Sequence, residues 1–101
     1  MEPKVKVRPT TDSTEKFKEP DEYKVILLND HYTTMDFVVE ILVVIFRKTV
    51  DEAAKIMMNV HNKGKGVAGI YTWDIAVTKI EQVHEAAKAS QFPLRCTIEP
   101  A

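Results

Sequence analysis

The sequence of 101 residues is short of cysteine, of glycine and of long apolar runs. Its single cysteine, Cys96, excludes an internal disulfide and suits a reducing cytosol. The longest apolar run, Ile41–Phe46, is far shorter than the roughly 20 residues of a membrane span. Charged residues interrupt the first nine positions, where a signal peptide carries an apolar core, so we expect no secretion signal. The predicted location is therefore cytoplasmic.

An excess of one charge sign is also missing. Lysine and arginine total 14, aspartate and glutamate total 15, and the net charge is −1. Nucleic acids and anionic membranes are usually bound through a concentrated basic surface, so neither is an expected partner. The apolar fraction of 45% indicates a globular domain with a real core.

The composition changes near residue 20. Residues 1–20 hold three of the five prolines, mixed charges and only four apolar side chains. Such a segment buries too little surface to offset its ordering entropy. We therefore predict a flexible N-terminal tail over residues 1–20 and one folded domain over residues 21–101.

Apolar periodicity and capping signals predict six elements in the order β-α-α-β-α-β. The predicted strands are Tyr23–Leu28, Val67–Thr72 and Leu94–Ile98. The predicted helices are Asp36–Lys48 with Thr33 or Thr34 as its cap, a second between Thr49 and Gly64, and Trp73–Ala89 with Thr72 as its cap. This order predicts an α+β fold: a single-domain two-layer α/β sandwich whose small, mainly antiparallel three-stranded sheet packs on three helices.

Signs of catalysis or cofactor binding are missing. Cys96 alternates with apolar residues in the last strand, which favours a buried and inert thiol. The histidines, His31, His61 and His84, lie in different elements without metal-ligand spacing. The sequence also has no glycine-rich phosphate loop. We therefore predict no enzyme, no metal and no cofactor.

One group of residues suggests a small cleft. Asn29 and Asp30 follow the first strand, where strand-to-helix turns commonly build sites. Apolar residues at the start of the first helix and along the second would complete an apolar pocket with a polar mouth, the usual form of a binding site. The apolar residues are Met35, Val38, Met57 and Val60, and His61 would join Asn29 and Asp30 at the polar mouth. Spacing alone leaves a second interpretation open, in which the methionines are core and the histidine is structural.

Three separated motifs resemble the ClpS family, bacterial adaptors of the ATP-dependent Clp protease. Residues 23–38, YKVILLNDHYTTMDFV, are similar to the family pattern YKVILxNDDxTPMEFV. Residues 57–69, MMNVHNKGKGVAG, and 93–100, PLRCTIEP, match later family motifs in the same order. The resemblance runs from about residue 20 to the end. It departs at His31, where the family has a second acid, and at Thr34, where the family has proline.

The resemblance implies an adaptor that binds the free N-terminus of proteins beginning with Leu, Phe, Tyr or Trp. Such an adaptor docks on the N-terminal domain of a Clp unfoldase of the ClpA or ClpC type. By position, the substrate's α-amino group is expected at Asn29, Asp30 and His61. The hydrophobic pocket is expected to comprise Thr33, Met35, Val38, Met57, Val60 and Leu94, and the contact with the unfoldase Tyr71, Asp74 and Lys79.

Two other functions remain as alternatives. The first is a protein-interaction domain without a ligand pocket, resembling the C-terminal domain of the ribosomal stalk protein, in which Asn29 and His61 are structural. The second is a small Cys/His enzyme, which would lose its function in a Cys96→Ser variant.

Overall fold

The structure, a computed structural model, describes residues 21–101, and the predicted tail lies outside these residues. Its strands are β1 (Glu22–Leu28), β2 (Lys65–Thr72) and β3 (Arg95–Pro100). Its helices are α1 (Met35–Val44), α2 (Val50–Lys63) and α3 (Trp73–Ala89). The predicted order and the predicted α+β class are confirmed.

The three strands form one antiparallel sheet in the order β2-β1-β3. The central position of β1 explains why it is apolar on both faces: Val25 and Leu27 are fully buried on one face and Ile26 is only 3% exposed on the other. The register with β2 shifts between Val25 and Ile26, which leaves Ala68 as an extra residue in a bulge. Side chains of all three helices join the buried residues of the sheet in one core.

Helix α1 begins where the sequence indicates but ends earlier. The hydroxyl of Thr34 accepts a hydrogen bond from the N–H of Phe37 at 3.1 Å, so Thr34 and not Thr33 is the cap. The predicted end at Lys48 is wrong, because the helix stops at Val44. Arg47 takes a left-handed backbone conformation, with φ of 60°, and the following N–H turns back to the carbonyl of Leu42 at 3.0 Å. This turn closes the helix without a glycine.

Helix α2 has the predicted signals at both ends. The Thr49 hydroxyl accepts from the N–H of Glu52 at 3.1 Å, and the Glu52 carboxylate accepts from the N–H of Thr49 at 3.0 Å. This reciprocal pair is a capping box. At the other end Gly64 adopts φ of 89°, a conformation that glycine takes at little cost.

Helix α3 spans the predicted residues, and Ala76, Val83 and Ala87 form its buried face. Thr72 occupies the predicted cap position with an extended backbone, but its side chain makes no capping hydrogen bond. Thr72 is therefore the cap residue as predicted, without a side-chain capping bond. The last strand alternates as expected, with Cys96 buried and Arg95 and Thr97 exposed.

Candidate functional site

The loop after β1 is held in shape by one carboxylate. One oxygen of Asp30 accepts from the backbone N–H groups of Tyr32 and Thr33 at 2.8 and 2.7 Å. Its other oxygen accepts from the Thr33 hydroxyl at 2.7 Å. An aspartate that accepts from the backbone two residues ahead forms the Asx turn that commonly ends a strand. Asp30 therefore fixes the path of the chain between β1 and α1.

The same hydrogen bonds keep Asp30 charged. Burial raises the pKa of its carboxyl, but the hydrogen bonds from Thr33 and Tyr32 and the nearby His31 more than offset burial. The net result is a pKa below the ordinary value, because each of these neighbours favours the ionised form. The loop thus places a negative charge beside the end of β1 near neutral pH.

A second hydrogen bond brings this loop to the end of α2. The backbone N–H of Asn29 donates to the carbonyl of Gly64 at 2.9 Å. His61 lies in the last turn of α2, three residues before Gly64. The bond thus brings Asn29 and the last turn of α2 together, although they are far apart in the sequence.

These elements enclose a cavity of about 240 Å³ between the loop, the start of α1 and α2. It is lined by Asn29, Asp30, His31, Thr33, Met35, Val38, Met57, Val60 and His61. Its volume is below the roughly 300–1,000 Å³ of sites for drug-sized ligands. The cavity therefore suits a ligand group about as large as one side chain.

Burial separates the floor of this cavity from its rim. Val38 and Val60 are 6% and 3% exposed, so they form an apolar floor. Asn29, His31 and His61 are exposed and carry the polar atoms of the rim. The cavity thus presents an apolar interior below hydrogen-bonding groups, the arrangement that suits an amphipathic ligand.

One predicted site residue lies elsewhere. Leu94 is 4% exposed in the core and lines a separate cavity of about 510 Å³ with His84, Lys88, Gln91, Phe92, Pro93 and Arg95. It follows Pro93 in the segment between α3 and β3 and belongs to the hydrophobic core. The structure brings together the other eight residues predicted for the amino group and the pocket.

His31 lines the cavity but was not predicted to do so. It stands between Asp30 and Tyr32 in the turn that Asp30 closes. The Asp30–Thr33 spacing was the available signal, because a turn this tight holds every residue between its ends near the site.

The residues predicted to meet the unfoldase occupy a different surface. The Lys79 ammonium donates to the carbonyl of Ile45 at 2.6 Å and lies 5.8 Å from the centre of the Tyr71 ring. Burial raises the pKa of the Tyr71 hydroxyl. Asp74 is exposed in the first turn of α3. Lys79 is thus held by the end of α1 and by an aromatic face.

The cysteine does not form a nucleophilic site. Burial raises the pKa of the Cys96 thiol to about 12, which keeps it protonated near neutral pH. His84 accepts a hydrogen bond from the backbone N–H of Cys96 at 3.1 Å, so its imidazole is bonded to the backbone of β3. Among residues 21–101 no group of three His, Cys, Asp or Glu side chains could hold a metal ion.

Larger cavities run along α3. Those of about 580 and 550 Å³ share Gln82 and Glu85, and neither has a residue in common with the cavity beside β1. The first is lined by residues of α3 and of the end of α1, and the second is lined by residues of α3 alone. The smaller cavity is the better candidate because the loop after β1, α1 and α2 converge on it and place an apolar floor below polar groups. No helix in the described part of the chain is both long and apolar enough to cross a membrane.

The fold and this cavity define a small binding domain, and comparison with known proteins gives its family. The family model for ClpS, the ATP-dependent Clp protease adaptor protein, matches residues 18–97. This chain therefore belongs to the ClpS family of Clp protease adaptors.

Relatives of the chain carry the same description. It is 56% identical over 90 residues to the ATP-dependent Clp protease adapter protein ClpS of Desulfatibacillum aliphaticivorans, covering 89% of this chain and 86% of that one. The protein of that description from Acetivibrio thermocellus is 60% identical over 84 residues, covering 83% and 85%.

A solved structure is also similar. Agrobacterium tumefaciens ClpS2 bound to L-phenylalaninamide superposes with a TM-score of 0.78 at 40% identity. The similarity covers 82% of this chain and 100% of that chain.

Proposed function

We propose that this protein binds the free N-terminus of proteins beginning with Leu, Phe, Tyr or Trp and delivers them to a Clp ATPase-protease. One observation carries the proposal: an apolar floor and hydrogen-bond acceptors share a cavity sized for one residue. L-phenylalaninamide, the ligand of the similar Agrobacterium protein, has a free amino group, an apolar side chain and an amide in place of the next peptide bond. It therefore mimics the first residue of a protein chain.

The rim suits the α-ammonium group of such a residue. An ammonium offers three donors and no acceptor. The amide oxygen of Asn29, a carboxylate lone pair of Asp30 and one ring nitrogen of neutral His61 supply the acceptors. Each hydrogen bond to a charged group contributes about 1.5–3 kcal/mol.

The floor suits the first side chain. Val38 and Val60 provide its buried surface, and Met35 and Met57 provide walls that adapt to side chains of different shape. Thr33 completes the lining, and the predicted contribution of Leu94, which is buried in the core, remains part of the proposal. Burial of one large apolar side chain contributes about 1.5–3 kcal/mol. After the costs of association, affinity in the micromolar range is expected, about −8 kcal/mol.

Delivery uses a second surface. Tyr71, Asp74 and Lys79 are our candidates for contact with the N-terminal domain of an unfoldase of the ClpA or ClpC type. They share no residue with the cavity, so one molecule can hold a substrate and a partner together. In this role the protein is non-catalytic and acts in the cytoplasm, where an ATP-dependent protease finds its nucleotide.

The test is a fluorescence-anisotropy titration with a labelled peptide that begins Leu-Leu. We expect binding to the free peptide and no binding to its N-acetylated form or to a peptide that begins with Val. Equal binding of the free and acetylated peptides would contradict recognition of the amino group. Failure of all peptides to bind folded protein would favour an interaction domain without a ligand pocket.

A further inference from the structure

The lining of the cavity includes a polar residue beyond the three that are proposed to contact the α-ammonium. His31 lines the cavity, is exposed, and has no part in the proposed amino-group contacts. The first side chain points to the floor, so the second residue of a bound chain must leave past the rim. His31 is therefore one of the exposed rim residues that the second side chain of the substrate can meet.

The charges around this exit are uneven. Asp30 is the only carboxylate among the residues that line the cavity, and three hydrogen bonds from Thr33 and Tyr32 occupy its oxygens. The exposed rim residues Asn29, His31 and His61 carry no negative charge. An imidazole donates an N–H when neutral and carries a positive charge when protonated. The exit thus offers donors to an acidic side chain, and the one lining carboxylate, Asp30, is already engaged by three hydrogen bonds and by the proposed contact with the ammonium.

We infer that His31 is a specificity-determining residue that favours N-degrons with Asp or Glu at their second position. This inference rests on the proposed function, because it requires that the first residue occupy the cavity. An exposed ion pair of this kind changes affinity by about two- to fivefold. The contact affects the ranking of substrates and leaves recognition of the first residue unchanged.

The test compares three peptides that begin Leu-Glu, Leu-Gln and Leu-Lys and are otherwise identical, titrated at pH 6.5 in low salt. The wild-type protein should bind the Leu-Glu peptide about two- to fivefold more tightly than the Leu-Lys peptide. His31→Asp should reverse this order, and His31→Gln should bring the ratio close to one. In 1 M salt the wild-type ratio should also approach one, because exposed charges are then screened.

The control is Gln82→Asp, which also introduces an aspartate, on α3 in cavities separate from this one. It should keep the wild-type ratio. The inference is overturned if all three peptides bind His31→Asp and wild type with the same ratios. If no peptide with a free Leu binds the wild-type protein, the proposed function fails and the inference fails with it. If the Leu-Gln peptide binds and the Leu-Glu and Leu-Lys peptides bind equally tightly, the inference is overturned and the proposed function stands.

Discussion

Both oxygens of the Asp30 carboxylate accept hydrogen bonds from Thr33, one from its backbone N–H and one from its hydroxyl, each at 2.7 Å. The residue proposed to attract the substrate's ammonium is thus also the residue that closes the loop around the cavity. Substitution can separate these two roles, because closure of the loop depends on hydrogen-bond acceptors and attraction of the ammonium depends on charge.

We predict different effects for Asp30→Asn and Asp30→Ala. Asparagine keeps an oxygen that accepts from both backbone N–H groups, whereas alanine leaves them without a partner. Asp30→Ala should lower the free energy of unfolding by about 1–3 kcal/mol, and Asp30→Asn by less than half as much. Both should weaken binding of a Leu-Leu peptide, because both remove the negative charge. Urea denaturation and anisotropy measure the two effects, and equal stability of all three proteins would contradict the role in the loop.

His61 offers a direct test of the rim. If its ring nitrogen accepts from the α-ammonium, His61→Ala should weaken binding of the Leu-Leu peptide by about tenfold to a hundredfold. His61→Gln should weaken it less, since the amide oxygen remains an acceptor. Asn59→Ala, an exposed change on α2 outside the cavity lining, is the control and should bind as wild type. Normal binding by His61→Ala would exclude this contact.

The two threonines at helix starts should differ in their effect on stability. Thr49 belongs to a reciprocal capping box, whereas Thr72 makes no side-chain capping bond. Thr49→Ala should therefore lower the free energy of unfolding by about 1 kcal/mol, and Thr72→Ala by less than about 0.5 kcal/mol. Peptide binding should be unchanged in Thr49→Ala. A larger loss in Thr72→Ala than in Thr49→Ala would contradict the hydrogen-bond pattern at the two caps.

His84 should make stability depend on pH. Burial, and then the nearby Arg95 guanidinium, lower the pKa of His84 below 6.5. As the pH falls below about 6.5, the unfolded chain gains a proton that the folded protein does not. The stability contributed by neutral His84 is therefore complete above this pH and declines below it, until the folded-state pKa is reached.

The measurement is urea denaturation between pH 5 and 8, a range in which most carboxylates stay ionised. The wild-type protein should lose stability toward pH 5, and His84→Gln should lose less over the same range. An equal slope in both proteins would show that His84 does not carry this dependence.

Local signals predicted much of the fold. The capping box at Thr49 and the glycine at position 64 fixed both ends of α2, and alternation fixed which residues of β3 are buried. The end of α1 could not be predicted in this way. Arg47 adopts its left-handed conformation without the glycine that usually marks it, so the turn depends on tertiary contacts of this segment.

The cavity was predicted less completely than the fold. Resemblance alone predicts Leu94 in the pocket, and the structure shows it buried in the core beside a second cavity. His31 was noticed as a departure from the family pattern. Its position in the lining follows from the hydrogen bonds of Asp30, which sequence spacing suggests but does not determine.

The most direct test of the central claim is an NMR titration of the labelled protein with L-phenylalaninamide. The account predicts that backbone amide signals of residues 29–35 and 57–61 shift and saturate, whereas those of the exposed face of α3 stay in place. N-acetyl-L-phenylalaninamide, which lacks the positive charge, should cause no such shifts. Saturable shifts confined to the cavities along α3, or equal shifts with both compounds, would contradict the assignment of the site.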